Sequence, residues 1–185
     1  MNEGRGPRVL VAVASRHGAT AEMAGHLAVD LERTAAGQRL GLTAAVRLVE
    51  HDPDPAGFAA VVLGSSVYAG RWDQSARQWA NRHLTLLRDR PVWLLSSGPV
   101  GSAPFPTDEA HDVDPIARQI GACGRRTFPG RLDPDRLGHG ERALVRAMRA
   151  PIGDFRDRAA LRSWADEIAE HLAATRVDGT RGARA

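Results

Sequence analysis

Residues Val9 to Thr20 read VLVAVASRHGAT: an unbroken apolar run, a short loop of small and hydroxyl-bearing residues, then helical spacing from Met23 through Leu27 to Leu31. This is strand, loop and helix. A run without polar alternation, Val9 to Ala14, suits a strand buried on both faces, as a parallel sheet covered by helices requires. The loop carries Ser15, Gly18 and Thr20 to the start of the helix, where free N–H groups and the positive end of the dipole favour a phosphate or another anion. A tight turn with no ligand is the competing reading of this stretch alone. Neither GxxxxGKS/T nor GxGxxG occurs, so a nucleoside triphosphate site of the usual kind and a dinucleotide fingerprint are unsupported.

The same alternation continues along the chain. The first helix is expected to end near Ala36 and Gly37, a more exposed strand to cover Ala44 to Glu50, and a second apolar run, Ala59 to Leu63, to open into a loop spanning Gly64 to Trp72. Asp73 is the expected N-cap of a helix with Ala76, Trp79, Ala80, Leu84 and Leu87 on its apolar side. Pro91 to Leu95 is the fourth strand and runs into SSGPVG, Ser96 to Gly101. Asp114 and Pro115 open a short helix ending at Gly121, and Arg125 to Phe128 is the fifth strand. Asp157 opens the last helix, with Leu161, Trp164, Ala165, Ile168 and Leu172 on one face; residues 176–185 have nothing to bury and are expected to be a disordered tail. One domain, residues 1–175, follows, as an open, doubly wound parallel sheet. Such sheets bind ligands outside the carboxyl ends of their strands at the switch point. Three loops meet that condition: Ser15 to Thr20, Ser65 to Arg71 and Ser96 to Gly101.

Composition narrows the chemistry. No Lys occurs among the 185 residues, which removes Schiff-base catalysis. A net charge of +3 with interspersed signs gives no nucleic-acid surface. Cys123 is the only cysteine, so no internal disulfide forms; a small residue packed near a strand start is the expected role. No apolar run approaches the roughly 20 residues that cross a bilayer, and no signal-peptide core opens the chain, so a cytoplasmic protein is expected. No HExxH or paired HxH occurs, Glu109, His111 and Asp112 sit in a loop with no obvious partners, and no metal is expected. A GxSxG elbow is absent as well, so serine hydrolysis is unsupported.

These three loops resemble those of the flavodoxin-like family, over nearly the whole chain to about Leu172. The resemblance implies a five-stranded parallel sheet of order 2-1-3-4-5 and FMN as cofactor. The family's phosphate loop corresponds to Ser15, Arg16, His17, Gly18, Ala19 and Thr20, with His17 standing where a hydroxyl residue is usual; a ring N–H can replace that donor. The loop that stacks on the isoalloxazine corresponds to Ser66, Val67, Tyr68, Ala69 and Gly70, with Tyr68, the only tyrosine, as the stacking ring. The third loop corresponds to Ser97, Gly98, Pro99, Val100 and Gly101. It lacks the second aromatic and acidic residue common in the family, which leaves one flavin face open to a flat substrate.

More narrowly, GSSVYAGRW, LLSSGPVG, FPGRLDP and GDFRD are similar to the subgroup that includes the menaquinone-dependent protoporphyrinogen oxidases. That resemblance implies an FMN-dependent oxidoreductase acting on a porphyrinogen with a quinone as acceptor. Arg16 or Arg71 would guide the anionic substrate, since a guanidinium pairs bidentately with a carboxylate. Arg142, Arg146 and Arg149 fall on one side of a helix expected over 138–150, with Leu144, Val145 and Met148 as its apolar residues. Such a helix either packs on the domain with a wet basic face or rests on an anionic membrane surface, as a peripheral contact at the inner face of the membrane. Two other readings compete with the enzyme. An electron-carrier flavodoxin is typically acidic around its flavin, unlike this chain. A flavodoxin fold that has lost FMN and serves as an interaction module is favoured by His17 and the missing aromatic.

Overall fold

The computed structural model describes residues 6–68, 70–98, 113–133, 135, 138–147 and 152–182; for Tyr68, Glu141, Leu144 and residues 176–182 it describes the backbone. In chain order the elements are β1 (Arg8–Ala14), α1 (Ala19–Arg33), α2 (Ala35–Leu40), β2 (Thr43–Leu48), β3 (Ala60–Tyr68), β4 (Arg71–Trp72), α3 (Gln74–Arg82), α4 (Leu84–Arg88), β5 (Val92–Ser97), α5 (Val113–Ile120), β6 (Gly124–Phe128), β7 (Arg131–Leu132), α6 (His139–Ala147), β8 (Gly153–Asp154) and α7 (Arg158–Gly182). Short 3-10 turns occupy Val49–His51 and Pro55–Gly57.

The five long strands lie in the order β2-β1-β3-β5-β6 and are all parallel, which is the order expected from sequence once two-residue β4 is set aside. β1 is buried along all but its first residue because both its faces are covered. Val9, Val11 and Val13 pack on one side with Met23, Leu27 and Leu31 of α1 and with Leu161, Trp164 and Ile168 of α7. Leu10, Ala12 and Ala14 pack on the other with Trp72, Trp79 of α3 and Ile116 of α5. The period of two in a strand puts alternate residues on opposite faces, so one apolar run feeds both cores.

Several boundaries differ from those read in the sequence. The first helix stops at Arg33, because Thr34 leaves helical geometry and caps a separate α2 by accepting the Gly37 N–H at 2.9 Å. Asp73 caps α3 as expected, but the helix breaks at His83 before Leu84. The largest departure is at 64–72. The expected loop is instead an extension of β3 to Tyr68, because Arg71 and Trp72 fold back antiparallel and pair with Tyr68 and Val67. Gly70, at φ 70°, supplies the left-handed turn. Likewise Ser96 and Ser97 belong to β5. Cys123 precedes β6 as expected but is exposed, not packed. β7 and β8 form a separate antiparallel ribbon that the sequence does not announce. α7 continues beyond Thr175, the expected end of the domain, to Gly182. Among the described residues no helix is long and apolar enough to cross a membrane.

Candidate functional site

The register of the sheet brings three strand ends together. Ala14 is paired with Ser65, and Ser65 and Ser66 with Ser96 and Ser97. Adjacent strands lie about 4.8 Å apart, so Ser15, Ser66 and Ser97 form one short row along the carboxyl edge, across the point where the chain changes direction through the sheet.

At the first loop Gly18 takes φ 84° and ψ −18°, a left-handed conformation that a residue without Cβ adopts at no steric cost. Its carbonyl accepts the Glu22 N–H at 2.9 Å. Ser15 Oγ accepts the Ala21 N–H at 3.1 Å, which leaves the hydroxyl proton to be donated elsewhere. The earlier N–H groups of the first turn have no intrahelical acceptor, by the geometry of any helix start. Ala19 opens α1, His17 is half-buried and Thr20 is buried. Arg16 is exposed and reaches Asp73 Oδ2 at 3.4 Å, tying the first loop to the segment after β4.

Asp73 holds the second segment in place. Its N–H donates to Ser65 Oγ at 2.9 Å, and its carboxylate accepts the Ser75 N–H at 2.9 Å and the Ser75 hydroxyl at 2.8 Å. Burial pushes the Asp73 carboxyl up, but the bonds from Ser75 and the Arg16 charge outweigh it and hold it below its ordinary value. Trp72, the buried residue of β4, donates its indole N–H to Ser96 Oγ at 2.8 Å. Ser66 Oγ is buried and has no hydrogen-bond partner among the described residues. Val67 is half-buried, and Arg71 is exposed.

Ser97 is buried, and Gly98, at φ 127°, donates its N–H to Phe128 O at 2.9 Å. A Cβ on Gly98 would stand 3.4 Å from Val67 O and 3.6 Å from Val67 Cβ, ordinary contact, so it is the positive φ that favours glycine here. Ala69, Pro99, Val100 and Gly101 lie outside the described residues, as do Glu109, His111 and Asp112. Among the described residues no group of three or more His, Cys, Asp or Glu is placed to hold a metal ion.

One cluster beside the first loop carries no role in the sequence reading. Arg131 of β7 pairs bidentately with Glu22, Nη1 to Oε2 at 3.0 Å and Nη2 to Oε1 at 3.1 Å. Arg156 reaches the same carboxylate at 2.9 Å and also grips Asp154 of β8, its Nε lying 2.8 Å from Oδ1. FPGRLDP and GDFRD are the stretches that supply these residues, and only three-dimensional pairing puts them on the first turn of α1. Burial pushes the Glu22 carboxyl up, but hydrogen bonds and charge from Arg156 and Arg131 hold it below its ordinary 4.5. The Arg156 hydrogen bond, working against burial, holds Asp154 below 3.8. Depressed carboxyls contribute stability that is present above their unfolded pKa and is lost as pH falls through the folded one. Melting temperature is therefore expected to drop on acidification below about 4.5, and Glu22→Gln to flatten that fall. Thermal melts at several pH values check this; an unchanged slope in the variant contradicts it.

The sequence matches the flavodoxin domain over residues 10–158. No curated protein matches the chain in sequence. Among solved structures, an oxidoreductase from Corynebacterium diphtheriae superposes with a TM-score of 0.58 at 13% identity, covering 89% of this chain and 96% of that one. Flavodoxin 1 from Bacillus cereus gives 0.53 at 12% identity over 89% of this chain and 98% of its own. Rubredoxin oxygen:oxidoreductase from Desulfovibrio gigas gives 0.56 at 13% identity over 90% of this chain, which spans only 36% of that protein. At these identities the structures speak for the fold, and the domain match adds the sequence. A five-strand parallel sheet in this order, a glycine-turned loop opening the first helix and a match across most of the length agree: the chain belongs to the flavodoxin-domain family.

Proposed function

We propose that the three strand ends bind FMN and that the protein is an FMN-dependent oxidoreductase, with oxidation of a porphyrinogen at the expense of a quinone as the candidate reaction. The observation that carries the reading is Ser66 Oγ, a buried hydroxyl in the middle of the row with no partner among the described residues. Buried polar groups are almost always satisfied, so an orphan at a strand end calls for a ligand atom. The left-handed Gly18 loop fits a phosphate.

The Ser15 hydroxyl and the N–H groups of Gly18, Ala19 and Thr20 would hold the phosphate, with Arg16 and His17 beside it in the same loop. Among the described residues Ser66, Val67, Gly70, Ser97 and Gly98 would line the ring. When bound, FMN supplies the redox chemistry, and these backbone groups set its orientation and potential. Arg71, exposed at the hairpin, receives a substrate carboxylate. Exposed Arg142 and Arg146 on α6 suit an anionic membrane surface, where a quinone is met.

Tyr68 is the stacking ring in this reading. Tyr68→Ala is expected to weaken FMN binding by about 1 kcal/mol or more, roughly fivefold. Wild-type affinity in a fluorescence titration would move the stacking role elsewhere. The reaction itself is tested anaerobically with protoporphyrinogen and a short-chain menaquinone, following porphyrin fluorescence. Quinone-dependent porphyrin formation is expected. A protein that holds FMN yet leaves the porphyrinogen unoxidised contradicts the substrate and leaves the cofactor standing.

A further inference from the structure

Glu22 is an awkward residue for an anion site. It lies one turn, about 5.4 Å of helix, beyond Gly18, and side chains lean back toward the helix start. A carboxylate there competes with a phosphate for the positive end of the dipole. The β7–β8 ribbon answers that charge. Arg131 and Arg156 both bind Glu22, and Arg156 also binds Asp154, so two guanidiniums face two carboxylates. Arg131 and Arg156 are mostly buried, with side chains 18% and 13% exposed, so solvent screens their charges less than those of surface residues. Arg131 Nε is buried and has no partner among the described residues. An arginine placed only to brace the ribbon would gain from satisfying that donor too.

Resting on the phosphate-loop reading above, we propose that Arg131 and Arg156 are positioning residues that cancel the Glu22 charge and make the start of α1 selective for a phosphorylated ligand. The ribbon then acts on the phosphate and not on the ring. Its signature is the ratio of FMN to riboflavin affinity, since riboflavin lacks the phosphate.

The test is titration of the full chain with FMN and with riboflavin for wild type, Arg131→Gln, Arg131→Lys and Glu22→Gln, with circular dichroism confirming that each is folded. Arg131→Gln removes one of the two guanidiniums that bind Glu22 and is expected to lower FMN affinity roughly tenfold while riboflavin affinity stays put. Glu22→Gln removes the negative charge and should bind FMN at least as tightly as wild type. Arg131→Lys keeps the charge and should keep most of the selectivity. A bracing role predicts otherwise: both neutral variants weaken FMN and riboflavin alike, and that result overturns the proposal. So does an unchanged ratio in Arg131→Gln. Should wild type take up neither flavin, the flavin reading fails by itself. Inorganic phosphate, followed through the amide resonances of Gly18 to Thr20, then decides the charge arrangement: weaker binding by Arg131→Gln supports it, and equal binding or none in wild type overturns it.

Discussion

Gly18→Val is expected to reduce FMN affinity by roughly 100-fold or more while the domain stays folded. Two effects add. A β-branched residue held at φ 84° carries strain of about 1–3 kcal/mol, which the loop relieves by rotating away from the left-handed region. Rotation re-aims the N–H groups of the first turn and breaks the bond from Glu22 N to Gly18 O. The side chain also occupies the space through which a phosphate approaches the main chain. A 100-fold loss is about 2.8 kcal/mol, which strain of that size together with the re-aimed N–H groups accounts for. The fold withstands the change because the contact between β1 and α1 rests on Val11, Val13, Leu27 and Leu31, all fully buried and none touched by the substitution. Fluorescence-quenching titration with FMN, alongside far-ultraviolet circular dichroism, checks both halves. Wild-type affinity in a folded variant removes the phosphate-loop assignment.

Trp72→Ala is the second large effect, on stability: a loss of about 3–5 kcal/mol, in the range for a buried tryptophan. Trp72 is 2% exposed and packs among Leu10, Ala12, Trp79 and Ile116, so its removal opens a void in the core on that face of the sheet. The Ser96 hydroxyl loses its indole donor at the same time. Trp72→Phe separates the terms. It keeps much of the volume, drops the hydrogen bond, and should cost about 1–2 kcal/mol. The effect reaches the site because β4 pairs with Val67 and Tyr68 and holds the end of β3 in line. Urea denaturation measures both variants. An alanine variant with the wild-type midpoint would mean that Trp72 anchors nothing.

The parallel sheet was legible because β1 and the start of β3 are apolar on both faces, a pattern few other environments demand. The N-cap at Asp73 was legible because capping is local: acceptor and donor are two residues apart. What escaped the sequence reading is non-local. Nothing within GSSVYAGRW says that Arg71 and Trp72 turn back onto β3, because the pairing depends on Trp72 finding Ser96 across the sheet. Nor do FPGRLDP and GDFRD, some twenty residues apart, declare that Arg131 and Asp154 pair. The excess of charged residues at those positions was the available signal. A guanidinium that reaches from residue 131 to Glu22 is visible only once the sheet has brought β6 and α1 to the same end.

The three loops that carry Ser15, Ser66 and Ser97 are legible in sequence, but the row they form follows from register. A one-residue slip between β1 and β3 would bring different residues to the edge and scatter the row. The site is therefore only as firm as the strand pairing beneath it, and the buried Trp72 contact is part of that pairing.

The measurement that bears most directly on the central claim is titration of the purified full chain with FMN, read by visible absorption and by quenching of flavin fluorescence. Saturable binding of one FMN per chain, with perturbed flavin bands and loss of binding in Gly18→Val, is the predicted result. A wild-type protein that is folded, colourless and silent to added FMN would contradict the cofactor, and with it the oxidoreductase.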